Sequence, residues 1–354
     1  MIEKLQKIIK DAPFDAALIV SPENRFYFTG FNSSDGFLLA DSKEAVFITD
    51  SRYIEAAQNT VKDCRVVLQE RSIDQLKRVL DSFGAKKVAV EADRLTVSNL
   101  IRFQKALEGI EIIADGVLDA GINALRSVKE PEEIEKIVAA QRIAEEGFEH
   151  ICNYIQEGRT EKEIQLELDF YMLSHGAEGL SFETIAVSGA NGSMPHGVPT
   201  EKQVRRGELI TLDFGALYKG YHSDMTRTVA LGEVSDEQKH IYYTVLEAQL
   251  AAINTIKQGV TGKDADEAAR SVIRNAGYGE YFGHGTGHGV GVEIHEYPNV
   301  SPANEKPLVS GNVVTAEPGI YIPSKFGVRI EDMVLVTENG CENLTKCPKE
   351  LIIL

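Results

Sequence analysis

Two hydrophobic rhythms divide this chain. Up to about residue 120, short apolar runs alternate with amphipathic stretches. Ala16-Ala17-Leu18-Ile19-Val20 and Ala45-Val46-Phe47-Ile48-Thr49 read as strands. Ser72 to Phe83 carries helical spacing through Ile73, Leu76, Val79 and Leu80, and Lys87-Val88-Ala89-Val90 returns to strand. That alternation predicts an α/β layer over residues 1–125, with Tyr27, Phe28 and Phe31 as an aromatic part of its core.

Near residues 121–131 the rhythm changes. Ser127-Val128-Lys129-Glu130 reads as a capping box, with Pro131 in the first turn of a helix. Apolar residues recur at Ile134, Ile137, Val138, Phe148, Ile151 and Ile155, which predicts a long amphipathic helix stopped by Gly158. Thr160-Glu161-Lys162-Glu163, Ser235-Asp236-Glu237-Gln238 and Thr261-Gly262-Lys263-Asp264 open three more helices. Strand-like segments fall at 183–188, 208–214, 224–231, 312–317 and 327–336. The expectation for residues 126–354 is an α+β domain, with helices packed on a largely antiparallel sheet.

Composition narrows the classes. At 354 residues the chain has room for two cores, and 43% hydrophobic with 26% charged residues is ordinary for a soluble globular protein. The formal charge of −17 argues against nucleic acid or an anionic membrane surface as partner. No stretch reaches the roughly 18 apolar residues of a membrane span. The start, Met1-Ile2-Glu3-Lys4-Leu5-Gln6-Lys7, mixes acid and base, so a cytoplasmic protein without a secretory signal is expected. Cys64, Cys152, Cys341 and Cys347 form no CxxC pair and read as buried or free thiols. No Gly-x-Gly-x-x-Gly turn follows a strand, so nothing supports dinucleotide binding.

The chemistry concentrates around Phe282 to His295. Three of the eight histidines lie there, and glycine takes every second place from Gly283 to Gly291. A helix is disfavoured, since each interior glycine costs roughly 1 kcal/mol relative to alanine. In an extended chain His284, Thr286 and His288 share one face, while the glycine face lets another group approach the backbone. This predicts a strand through an active site, with at least one histidine free to bind metal.

Acids in apolar strands complete the pattern. Asp213 closes Leu209-Ile210-Thr211-Leu212, and Asp224 follows eleven residues later. A hairpin closing about Tyr218–Lys219 would set the two directly opposite, a destabilising pairing of like charges unless a cation lies between. Glu317 ends Val313-Val314-Thr315-Ala316, and Glu331 sits inside Gly327 to Leu335. Buried acids are rare unless paired or metal-bound. Asp213, Asp224, His288, Glu317 and Glu331 together suit two divalent cations, Mn²⁺ or Co²⁺ ahead of Fe²⁺ or Zn²⁺.

At these residues the chain resembles the pita-bread metallopeptidases, in the Xaa-Pro branch that contains prolidase and aminopeptidase P. The matching runs are Thr211 to Gly215, Ser223 to Thr228, Gly287 to Glu296, Glu317 to Tyr321 and Val328 to Asp332, in family order. The resemblance implies a pita-bread catalytic domain over residues 126–354 behind a smaller N-terminal α/β domain over 1–125. It implies a dinuclear exopeptidase that hydrolyses the bond before proline through a hydroxide bridging two metals. His196 and His295 match histidines near the scissile bond, and Glu317 is expected to serve as general base and then acid. His284, Tyr321 and Arg329 match positions that support substrate or metal ligands. The expected substrate is a peptide with proline in second position, and the expected assembly is a homodimer. Prolidase is the first reading and aminopeptidase P, which takes longer peptides, the second. A methionine aminopeptidase or a metal-free creatinase-like hydrolase fits less well, and a non-catalytic peptide-binding module is the remote alternative.

Overall fold

The computed structural model describes residues 1–70 and 73–354. The chain divides into two compact units, Met1–Leu125 and Arg126–Leu354.

In the first unit six strands form a mixed sheet in the order Arg65–Leu68, Ala45–Thr49, Phe37–Asp41, Ala16–Ile19, Lys87–Val90, Glu111–Ile113. Leu76, Val79 and Leu80 of the helix Asp74–Phe83, with Phe103 of the helix Val97–Ala106, pack against the sheet residues Leu18, Leu39, Val46 and Val88. Ser72, where the predicted helix was to begin, lies outside the described residues. Tyr27 and Phe28 are buried on the helix Pro22–Thr29, as the aromatic cluster predicted, and Phe31 is half-buried. Three strands went unpredicted. Arg65–Leu68 and Glu111–Ile113 are edge strands with little buried surface, and Phe37–Asp41 is a five-residue run with no alternation to mark it.

The second unit pairs its strands antiparallel throughout. One sheet joins Ile185–Ser188, Glu208–Phe214 and Met225–Leu231. A five-stranded sheet runs Glu296–Val300, Gly287–Gly289, Val313–Ala316, Asp332–Val336, Cys341–Asn343, and Gly319–Ile322 pairs with Phe326–Arg329. The helices cover them two by two. Ala144, Phe148, Ile164 and Leu168 of the helices Pro131–Tyr154 and Glu161–Ser174 pack on Ile210, Leu212 and Phe214. Ile241, Val245, Ala269 and Ile273 of the helices Asp236–Thr255 and Gly262–Asn275 pack on Val314, Ala316 and Val334. The predicted α+β arrangement is therefore present.

Thr160, Ser235 and Thr261 cap their helices as expected. Ser127 does not. It ends the preceding helix, Val117–Ser127, and Glu130 is the cap residue, its N–H donating to Glu133 Oε2 at 2.9 Å. The helix stops at Tyr154 rather than at Gly158, because Ile155 turns extended and buries itself in the core. The four cysteines are free thiols. Among the described residues no helix is long and apolar enough to cross a membrane.

Candidate metal centre

The hairpin carrying the first two acids turns one residue later than the sequence suggested. Tyr218 pairs with Tyr221, and Lys219 and Gly220 take φ values of 47° and 74°, the positive angles that tight hairpin turns need. The register then sets Asp213 opposite Thr226, so the expected Asp213–Asp224 pairing is not formed. Asp224 lies two residues before Thr226, diagonal to Asp213.

Asp224, Glu317 and Glu331 occupy breaks between strands rather than strand interiors. Asp224 falls between Tyr221–His222 and Met225–Leu231, and Glu317 between Val313–Ala316 and Gly319–Ile322. The predicted strand 327–336 is two strands, Phe326–Arg329 and Asp332–Val336, with Glu331 at the junction. At the breaks holding Glu317 and Glu331 the backbone leaves its own ladder for another segment. Glu317 N–H donates to Thr286 O at 2.8 Å, and Glu331 N–H to Thr226 O at 3.1 Å. These crossings carry both acids into one cleft of about 730 Å³, lined also by Asp213, Asp224 and His288.

The glycine-rich stretch is regular strand only over Gly287–Gly289. Its bare face is used as the spacing suggested, since a side chain at Gly287 would drive into the Thr315 carbonyl of the neighbouring strand. The three polar side chains diverge in partner. His284 Nε2 meets Tyr321 Oη at 2.9 Å, Thr286 is buried and donates to Asp266, and His288 joins the acids.

Asp224, His288 and Glu331 each bring a ligand atom within 4.8 Å of the others. His288 Nε2 lies 3.5 Å from Asp224 Oδ2 and 3.4 Å from Glu317 Oε1. His288 Nδ1 sits 3.0 Å from the Gly289 carbonyl, a contact that assigns the proton to Nδ1 and leaves the Nε2 lone pair facing the acids. Asp213 is held by Arg329. Asp213 Oδ1 and Glu331 Oε1 are buried and take no hydrogen bond from the protein. Two orphaned carboxylate oxygens beside an imidazole lone pair form a donor set that fits oxygen-preferring divalent cations.

Electrostatics agrees with that fit. Burial, reinforced by the neighbouring acids, raises Asp224 and Glu331 well above the usual carboxylate range. Glu317 is pushed up to about 8 by burial, against the pull of Arg329. Burial drops His288 to about 4, keeping it neutral. Without a cation the cluster resists its own charge, and a divalent ion converts that repulsion into binding.

A relay of supports surrounds the acids. Arg329 donates to Tyr321 Oη at 2.8 Å, to Thr226 Oγ1 at 3.1 Å and to Pro195 O at 3.2 Å. His284 Nδ1 lies 2.8 Å from Gly285 O, and burial lowers this imidazole to about 4, so Tyr321 is the donor to Nε2. His196 and His295 are exposed and line the same cleft, His295 with its ring 4.3 Å from that of His288. Two supports were missed in the sequence. Thr226 stood inside a matched motif without being singled out. Asp266 accepts from Thr286 at 2.9 Å and pairs with Arg270, which also donates to the carbonyls of Phe282 and His284. The Asp266/Arg270 spacing of four on one helix was the available signal.

The family described as metallopeptidase family M24 matches residues 135–338, and the creatinase/prolidase N-terminal domain matches residues 1–128. The Xaa-Pro dipeptidase of Pyrococcus furiosus is 39% identical, over 99% of this chain and 99% of its own length. A solved Xaa-Pro dipeptidase from Bacillus anthracis superposes with a TM-score of 0.95 at 44% identity, covering 100% of this chain and 99% of its own. An X-Pro aminopeptidase from Thermotoga maritima gives a TM-score of 0.91 at 40% identity, covering 98% of this chain and 100% of its own.

Proposed function

The chain belongs to metallopeptidase family M24, with a creatinase/prolidase N-terminal domain ahead of the catalytic one, and we propose that it hydrolyses the peptide bond before proline as an Xaa-Pro dipeptidase. The protein is a metallopeptidase. What carries the reading is the meeting of Asp224, His288, Glu317 and Glu331, distant in sequence, in one cleft bordered by two exposed histidines.

In this reading Asp213, Asp224, His288, Glu317 and Glu331 hold two divalent cations, with Mn²⁺ or Co²⁺ suited to four carboxylates and one imidazole. Such cations, when bound, polarise a carbonyl and lower the pKa of water. His196 or His295 donates to the oxygen that gains charge as the carbonyl before proline becomes tetrahedral. Glu317 takes the proton of the attacking water and delivers it to the proline nitrogen, a leaving group that departs poorly without one. Arg329, anchored by Tyr321 and Thr226, fixes Asp213.

A homodimer in the cytoplasm is part of the same proposal. Four free thiols favour a reducing compartment, and sedimentation in solution tests the assembly. The competing reading is an X-Pro aminopeptidase, favoured by the 40% identity to the Thermotoga maritima protein of that name. Cleavage of an Xaa-Pro dipeptide and an Xaa-Pro-Xaa tripeptide, each with Mn²⁺ and with Co²⁺, separates the two. Cleavage of the dipeptide alone supports the dipeptidase; efficient cleavage of the tripeptide transfers the assignment. A protein that purifies without divalent ions and cleaves neither is a peptide-binding module.

A further inference from the structure

Glu161 lies outside the acid cluster, yet it is fully buried at the first position of the helix Glu161–Ser174, where the helix dipole favours an anion. Its carboxylate gathers donors from both ends of one loop. Oε1 accepts from Ser188 N at 2.8 Å and Ser188 Oγ at 2.9 Å, at the end of the strand Ile185–Ser188. Oε2 accepts from Thr200 N at 3.1 Å and Thr200 Oγ1 at 2.8 Å. Asn191 Nδ2, inside the loop, reaches both oxygens at 3.1 and 2.9 Å. The enclosed segment carries His196 into the cleft, and its middle is tied to the metal centre by Arg329 donating to Pro195 O at 3.2 Å. His196 is exposed, so the placing of its ring rests on the backbone beneath it.

We propose that Glu161 is the positioning residue for His196: one buried carboxylate closes the loop 188–200 at both ends and thereby sets the imidazole against the substrate. The idea rests on the proposed role of His196 in hydrolysis. A glutamine at 161 keeps the shape but presents an amide NH₂ to one set of donors, so one end of the loop is released.

The experiment compares E161Q, H196A and the double variant in the metal-loaded enzyme. It reads kcat and KM on an Xaa-Pro dipeptide, divalent metal bound per chain, and Tm. E161Q should lower kcat roughly 10- to 100-fold, the scale of a misplaced group, with bound metal unchanged. The double variant should fall within about twofold of H196A, because two changes acting through one group do not add. Additive losses, or metal lost together with activity, would make Glu161 a general structural residue and overturn the proposal, as would an unchanged E161Q beside an impaired H196A. An unimpaired H196A would instead remove the proposed role of His196, and this inference with it. Should E161Q fail to fold, T200V deletes the hydroxyl that donates to Glu161 Oε2 and accepts from Lys202 N–H and Asn191 Nδ2, all at the same end of the loop, and the same non-additivity with H196A is expected from it.

Discussion

The Thr226 hydroxyl donates to Glu331 Oε2 at 2.7 Å, across 105 residues of sequence, while the other oxygen of Glu331 is buried without a protein partner. The same hydroxyl accepts from Arg329 Nε at 3.1 Å, and Arg329 grips Asp213. One oxygen atom therefore orients an acid and the cation that orients a second acid. Thr226→Val preserves the shape and deletes both bonds. Supports of this kind typically carry 10- to 100-fold in metal affinity. Titration of metal-free T226V with Mn²⁺ should show weakening on about that scale. Unchanged affinity would mean that packing and the bonds of Arg329 to Tyr321, Pro195 and Asp213 hold the two side chains without Thr226.

Much of this site was legible in sequence because acids and glycines in apolar strands are conspicuous. Asp213 and His288 could be singled out since nothing structural explains a charge ending Leu209 to Leu212, or an imidazole flanked by glycines. The register was not legible. Moving the turn from Tyr218–Lys219 to Lys219–Gly220 changes no hydrophobic position, yet it replaces Asp224 by Thr226 opposite Asp213. Likewise Glu331 reads as part of one strand because apolar residues flank it on both sides, Val328 and Ile330 before it and Met333 to Val336 after it, whereas the two halves pair with different sheets. Thr226 acts through Glu331 and Arg329 and Asp266 through Thr286, all distant in sequence, and local pattern holds no information about these partners beyond the Asp266/Arg270 pairing on one helix.

Removing the metal should expose the repulsion among the acids, with a definite pH sense. Asp224, Glu317 and Glu331 all have folded-state pKa values raised by burial, Glu317 to about 8. A raised acid stabilises the fold below its unfolded pKa, and that contribution disappears as pH climbs through the folded value. The chelated protein should therefore lose Tm between pH 5 and about 8, while saturating Mn²⁺ raises Tm most at the upper end of that range. A chelated protein with a flat profile over this interval would mean that the acids do not share one buried cluster.

Glu296 behaves in the opposite sense. Burial alone would raise it, but Lys129 at 2.9 Å and Arg126 hold it down to about 2. A depressed acid contributes stability above its unfolded pKa of 4.5 and loses it as pH falls toward 2, a difference on the order of 3 kcal/mol. Glu296→Gln leaves buried cations short of an anion and should cost roughly 3–5 kcal/mol at neutral pH. Thermal unfolding of wild type and variant from pH 7 down to about 2 checks both statements, since the gap between them should narrow in acid. A gap that stays constant would assign the loss to packing instead of charge.

Gly287 and Gly283 belong to one glycine-rich run but face different surroundings. A Cβ on Gly287 would collide with the carbonyl of Thr315, whereas one on Gly283 meets nothing within 4 Å. Thr315 is no passive neighbour: its hydroxyl accepts the His288 N–H at 3.1 Å and donates to Glu317 at 3.2 Å. Displacing it moves two groups of the candidate metal centre at once. Gly287→Ala should destabilise the enzyme by roughly 1–3 kcal/mol, the usual cost of overpacking, and weaken Mn²⁺ binding with it. Gly283→Ala should stay within about 0.5 kcal/mol of wild type and bind metal normally. Urea unfolding and metal titration of the two variants give the comparison, and equal effects at both positions would show that backbone freedom, not the approach of Thr315, is what the glycines supply.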